Sequence, residues 1–246
     1  MEDIKRVIEQ DKEAYMEDLF ALLRRPSISA QDVGVRECAI LLSKLMEEAG
    51  IKTAIYETPR QPIVFGQTGD GRPRRTILVY GHYDVQPPEP LDQWKSPPFE
   101  PTIRDGKIYG RGTSDNKAQL FAHVKGIQAY LKARGRLPKG LQMKYIFEGE
   151  EEIGSPNLQP FAEANRQLLA ADAAIFSDSH VHESGLPTIH PRPEGHALRR
   201  ACGARAQAGH AFDEGGRAAQ PGMAPRDAAQ YDKRRRRFRQ DRGLLR

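Results

Sequence analysis

Apolar residues recur near helical spacing at the start of the chain, at Ile4, Val7 and Ile8 and again at Leu19, Phe20, Leu22 and Leu23. The pattern returns over Val35 to Gly50, with Ala39, Leu42, Leu45 and Met46 on one face and a glycine to end it. These spacings predict two opening amphipathic helical stretches. Lys52 to Glu57 and Pro62 to Gly66 read as short strands. Thr76 to Val85 is a nearly unbroken apolar run, the mark of a central strand buried on both faces. The Pro-rich stretch from Pro87 to Pro101 reads as an ordered loop, because Trp94 and Phe99 give it something to bury. From Asn116, the positions Leu120, Val124, Ile127 and Leu131 trace one helix face that stops at Gly135. A strand over Leu141 to Phe147, a helix over Leu158 to Leu169 and a strand over Ala173 to Ser177 complete the pattern. Strands alternating with helices predict a mostly parallel α/β sheet covered on both faces.

Composition changes this picture only at the end of the chain. The 246 residues carry 38 Lys and Arg against 33 Asp and Glu, but the excess is concentrated around Lys233 to Arg237 while the first part is balanced. From Pro191 to Arg246 there is no Val, Ile, Ser or Thr, and Arg, Ala and Gly dominate, which leaves little with which to build a strand or core. The basic run lacks aromatic platforms, so no nucleic-acid partner is expected. Cys38 and Cys202 are far apart, as suits a reducing compartment, and Cys38 reads as a core residue. The charged N-terminus has neither a signal core nor a membrane span, so a cytoplasmic protein without a membrane partner is expected.

In an open parallel sheet, ligand chemistry collects at the carboxyl ends of the strands. His82 and Asp84 end one strand, Asp115 precedes a helix, Glu150 to Glu152 follow another strand and Asp178 ends a third. Each has a bland reading taken alone. A strand-end histidine is often structural, and an aspartate before a helix is often an N-cap. Together they would repel one another unless cations intervened, and His with Asp and Glu donors suits zinc, or manganese or cobalt where carboxylates dominate.

The motifs GHYDVQP at 81–87, GRGTSDNKAQ at 110–119, FEGEEEIGSPNL at 147–158 and SDS at 177–179 resemble the aminoacylase, carnosinase and succinyl-diaminopimelate desuccinylase family of co-catalytic metallopeptidases. DVQP and the following QWKSPPFEP are most similar to its dipeptidase branch. The resemblance implies a three-layer α/β/α sandwich of the zinc-peptidase kind, present here only as its first portion over residues 1–190, and two divalent metal ions. By it, His82 and Asp178 would ligate one metal, Asp115 would bridge both, Glu152 would ligate the other, Glu151 would be the general base and Asp84 would orient His82. Asn116 stands where the family usually has an acid, and the Asp115–Asn116 peptide is expected to be cis. The implied reaction is hydrolysis of a dipeptide amide bond. Removal of the acyl group from an N-acyl amino acid is the alternative within the same chemistry, and a non-catalytic fragment binding metal or nucleic acid is the alternative outside it.

The family continues with a lid domain, which binds substrate and forms a homodimer, and then with a last histidine ligand. Neither is visible after His190. Codons displaced by one base would let residues 209–214 encode Asp-Met-His-Ser-Met-Lys, which resembles the lid. Residues 191–246 are therefore expected to be frameshifted, largely disordered sequence replacing the lid, and His210 is not its histidine. A chain built this way is expected to be weak or inactive.

Overall fold

The computed structural model describes residues 1–179, all within one compact unit. The expectations for residues 191–246 and for Cys202 lie outside the described residues. The predicted opening helix is two helices, α1 (Glu2–Gln10) and α2 (Lys12–Arg24), parted at Asp11. An aspartate inside a helix offers its carboxylate to competing partners, and here both oxygens of Asp11 take the Lys132 ammonium at 2.7 Å. Helix α3 (Val35–Glu48) leads into strand β1 (Lys52–Tyr56) and then β2 (Ile63–Gly69). The long apolar run forms β3 (Arg75–His82), which ends earlier than its apolar pattern suggests. The segment beyond it leaves the ladder, and Val85 bonds instead to the Ser27 carbonyl at 2.9 Å.

The loop after β3 is pinned by the Trp94 indole, which donates to the Pro88 carbonyl at 2.7 Å. It carries a hairpin absent from the sequence reading, β4 (Thr102–Arg104) and β5 (Lys107–Tyr109), turned on Asp105 and Gly106 at positive φ. Helix α4 (Lys117–Arg134) ends at left-handed Gly135, and β6 (Leu141–Glu148) follows. The next predicted helix is again two, α5 (Leu158–Ala164) and α6 (Arg166–Leu169). At their junction the Asn165 amide donates to the Phe161 carbonyl at 2.9 Å, so the side chain competes with the helix ladder. Strand β7 (Ala173–Phe176) closes the described chain.

The five-stranded sheet has the order β1-β2-β6-β3-β7. It is mixed: β3 pairs in parallel with both β6 and β7, whereas β1-β2 and β2-β6 are antiparallel. Alternating side chains feed two cores. Val64, Val79, Tyr145 and Phe147 pack on one face with Leu22, Leu42, Met46, Leu120 and Val124 of α2, α3 and α4. Phe65, Leu78, Tyr80 and Ile146 pack on the other with Leu158, Ala162 and Leu169 of α5 and α6. The result is the expected three-layer α/β/α arrangement, and its three parallel strands end on the same edge. Fully buried Lys117 ties α4 to the end of α2, its ammonium donating to the carbonyls of Leu22 at 3.2 Å and Arg25 at 2.5 Å.

Glu148 ends β6 directly opposite His82. Its Oε1 accepts hydrogen bonds from the Tyr80 hydroxyl at 2.6 Å and the Ser155 hydroxyl at 2.8 Å, while Oε2 is buried with no hydrogen-bond partner. Burial pushes this carboxyl up to about 7, against the opposing pull of the two hydroxyls. Because the folded value lies above the unfolded one, the unfolded chain gives up the proton first. The stability that the protonated group contributes at low pH is therefore lost as pH rises from about 4.5 to about 7. In chelator-treated protein, Glu148→Gln removes this dependence. Urea unfolding should find the variant gaining on the wild type by up to about 3 kcal/mol across that interval and by no more above it.

Candidate metal centre

Three strand ends and one helix start deliver the site. His82 is the last residue of β3 and is wholly buried. Its Nδ1 lies 3.1 Å from the Asp84 carbonyl and 3.3 Å from Asp84 Oδ1. Nδ1 is thereby engaged from below, and Nε2 faces the carboxylates. Asp115 Oδ1 lies 3.0 Å from Nε2, Asp178 Oδ2 3.7 Å and Glu151 Oε2 3.9 Å. None of these meets hydrogen-bond geometry, so Nε2 is buried without a hydrogen-bond partner. Donor atoms of His82, Asp115 and Glu152 lie within 4.8 Å of one another, and so do those of His82, Glu151 and Asp178.

Asp84 does more than face the imidazole. Although it lies beyond β3 rather than within it, its Oδ1 accepts the Glu151 N–H at 3.2 Å and its Oδ2 the Glu152 N–H at 3.1 Å. One buried carboxylate thus holds both the imidazole and the short 3-10 turn Glu151–Ile153 that follows β6. The three successive glutamates are not equivalent. Glu150 turns away from the site and is buried, accepting from the Gln61 N–H at 3.0 Å and from the Asn157 amide at 3.0 and 2.9 Å. Gly149 is needed for this turn, since a Cβ there would stand 2.6 Å from the Tyr83 hydroxyl and 2.8 Å from Val35.

The Asp115–Asn116 peptide is cis. Asn116, read from sequence only as a variant at an acidic position, links the two strands that flank the site. Its Oδ1 accepts the His82 N–H at 3.2 Å, and its amide donates to the Ser177 carbonyl at 2.6 Å and to Asp178 Oδ1 at 3.3 Å. An aspartate carboxylate could accept the first bond but could not donate the other two. Gln86 also escaped the sequence reading: its amide donates to Glu152 Oε2 at 2.6 Å and to the Glu152 carbonyl at 3.3 Å. The signal was present in DVQP, but nothing in the sequence distinguishes this side chain from a solvated one.

Charge is crowded here. Burial alone would lower the pKa of His82, yet Asp115, Asp178 and Asp84 outweigh it and push the imidazole up to about 12. Burial raises Glu151, opposed by His82 and reinforced by Asp178. Burial raises Glu152 too, opposed by the Gln86 amide and reinforced by Asp115. A buried imidazole nitrogen without a hydrogen-bond partner, ringed by carboxylate oxygens, fits a divalent cation, whose charge would satisfy the nitrogen and the acids together.

A sequence profile of Peptidase family M20/M25/M40 matches residues 78–238, more than half of the chain. The match starts in β3 and extends into the segment read above as out of frame. The Cys-Gly metallodipeptidase dug1 of Schizosaccharomyces pombe is 30% identical over 197 residues, covering 73% of this chain and 41% of that protein. The human Beta-Ala-His dipeptidase is 29% identical over 167 residues, covering 67% and 32%. Among solved structures, the M20 family metallo-carboxypeptidase Sso-CP2 of Sulfolobus solfataricus is similar with a TM-score of 0.66 and 37% identity, covering 70% of this chain and 39% of that one. The chain spans less than half the length of each of these relatives. Profile, relatives and fold agree with the strand-end arrangement of imidazole and carboxylates: the chain belongs to peptidase family M20/M25/M40.

Proposed function

We propose that residues 1–190 are the first portion of the catalytic domain of a metal-dependent hydrolase that cleaves the amide bond of small peptides, dipeptides first among them. The observation that carries the proposal is His82 Nε2, buried without a hydrogen-bond partner and faced by Asp115, Asp178 and Glu151 within 3.9 Å. In this reading His82, Asp115, Glu152 and Asp178 would hold a pair of divalent cations, with Glu151 left to act as the base. Zinc is the proposed metal, since an imidazole with carboxylate oxygens matches its preference, with manganese and cobalt as substitutes. A cytoplasmic setting is part of the same proposal. Among the described residues, no helix is long and apolar enough to cross a membrane.

When bound, a pair of such cations activates water and polarises the scissile carbonyl. The protein's own part is positioning and proton transfer. Asp84 holds His82 with Nε2 directed at the carboxylates and fixes the backbone of the Glu151–Glu152 turn. Glu151 stands at the mouth of the site, its carboxylate raised above the ordinary range by burial, which suits a group that must accept a proton from water and then release it. As water adds to the carbonyl carbon, Glu151 takes its proton. As the C–N bond breaks, the same carboxyl returns the proton to the leaving amine.

Two outcomes test the proposal. Equilibrium dialysis against zinc followed by elemental analysis should find metal retained by the wild-type chain and largely lost from Asp115→Ala, with Glu151→Gln retaining it. Cys-Gly and β-Ala-His, the dipeptides named for the relatives, should be hydrolysed only weakly or not at all by this chain with zinc, manganese or cobalt, and robust turnover would contradict the reading of residues 191–246 as a replaced lid. Any turnover that is found should fall by roughly 10²–10⁴-fold in Glu151→Gln. Wild-type protein that retains no divalent cation would overturn the reading.

A further inference from the structure

Two neighbouring glutamates face the same site, and their carboxylates are held differently. The Glu152 carboxylate is clamped: the Gln86 amide donates to its Oε2 at 2.6 Å, and the same amide reaches the Glu152 carbonyl at 3.3 Å. The Glu151 carboxylate has no such clamp among the described residues, where its side-chain contact is His82 Nε2 at 3.9 Å. Both glutamates share one backbone support, since Asp84 takes the N–H of each. The difference therefore lies in the side chains and arises from Gln86, two residues beyond Asp84 on the segment leaving β3.

The terminal torsion of a glutamate is soft, so an unrestrained carboxylate turns freely between presenting one oxygen and presenting both. An amide donor on one oxygen removes that freedom and leaves the other oxygen to serve as a single ligand atom. A neutral donor suits the place: an ammonium or guanidinium would compete with a cation for the carboxylate's charge, and an acid would repel it. From this juxtaposition we infer that Gln86 is a positioning residue that fixes Glu152 as a one-oxygen ligand of a divalent cation, and that its absence from Glu151 leaves that neighbour mobile enough to carry protons. The inference rests on the metal-centre reading above and adds to it the device by which one glutamate of the pair becomes the ligand and the other the base.

Gln86 is exposed, and among the described residues its side-chain hydrogen bonds go to Glu152, so its replacement leaves the cores intact. The test is cobalt binding to the full chain, followed by calorimetry and by visible absorption, for wild type, Gln86→Ala, Gln86→Met and Glu152→Ala, with thermal melts of each chelator-treated protein. The expected result is a 10–100-fold weakening in both Gln86 variants of the one affinity that Glu152→Ala removes, with a changed cobalt absorption band, an unchanged second affinity and an unchanged metal-free melt. Wild-type affinities in both variants would overturn the role of Gln86 and leave the metal centre standing. Equal loss at every cobalt affinity together with a lowered metal-free melt would make Gln86 a structural prop and also overturn it. A wild-type chain that takes up no cobalt would overturn the metal centre, and this inference with it.

Discussion

Like charges held a few ångströms apart in a partly dry pocket must be neutralised or lose their charge. Everything in this site follows from that constraint. His82 is the ion-pair partner of Asp84, Asp115, Glu151 and Asp178 alike. Without metal the imidazole answers the demand by keeping its proton, which is why its pKa climbs in spite of burial. A divalent cation in contact with Nε2 would take over the proton's place and supply more positive charge than the proton did. Metal uptake and proton release are thus two sides of one equilibrium.

The fold meets the constraint through strand direction. Strands β3, β6 and β7 run parallel, so His82, the Glu151–Glu152 turn and Asp178 all emerge at one edge, and α4 begins there with Asp115 before it. The precision comes from polar side chains that brace the edge from beneath. Asp84 joins β3 to the glutamate turn, Asn116 joins β3 to the end of β7, Gln86 holds Glu152 and Lys117 anchors the start of α4 to the end of α2. These groups cost desolvation and repay it in fixed geometry, the usual arrangement around a site whose reacting groups sit on rigid elements.

Local signals made much of this legible in the sequence. A continuous apolar run marked β3, the 3.6-residue rhythm from Leu120 to Leu131 with Gly135 marked α4, and acids after apolar runs marked the strand ends. What escaped depends on partners distant in sequence. Asp11, where the opening helix breaks, is paired with Lys132, and inward-turned Glu150 is held by Gln61 and Asn157. The antiparallel pairings of β1 with β2 and of β2 with β6 are not legible in the pattern of either strand alone. The β4–β5 hairpin is different, because its Asp105–Gly106 turn is a local signal that was open to reading.

Crystals grown with zinc, with diffraction recorded on both sides of the zinc absorption edge, test the central claim most directly. An anomalous peak within bonding distance of His82 Nε2, shared with carboxylate oxygens from Asp115, Glu152 or Asp178, is the predicted result. A map with no anomalous density at that edge of the sheet, and His82 hydrogen-bonded only to its neighbours, would contradict it.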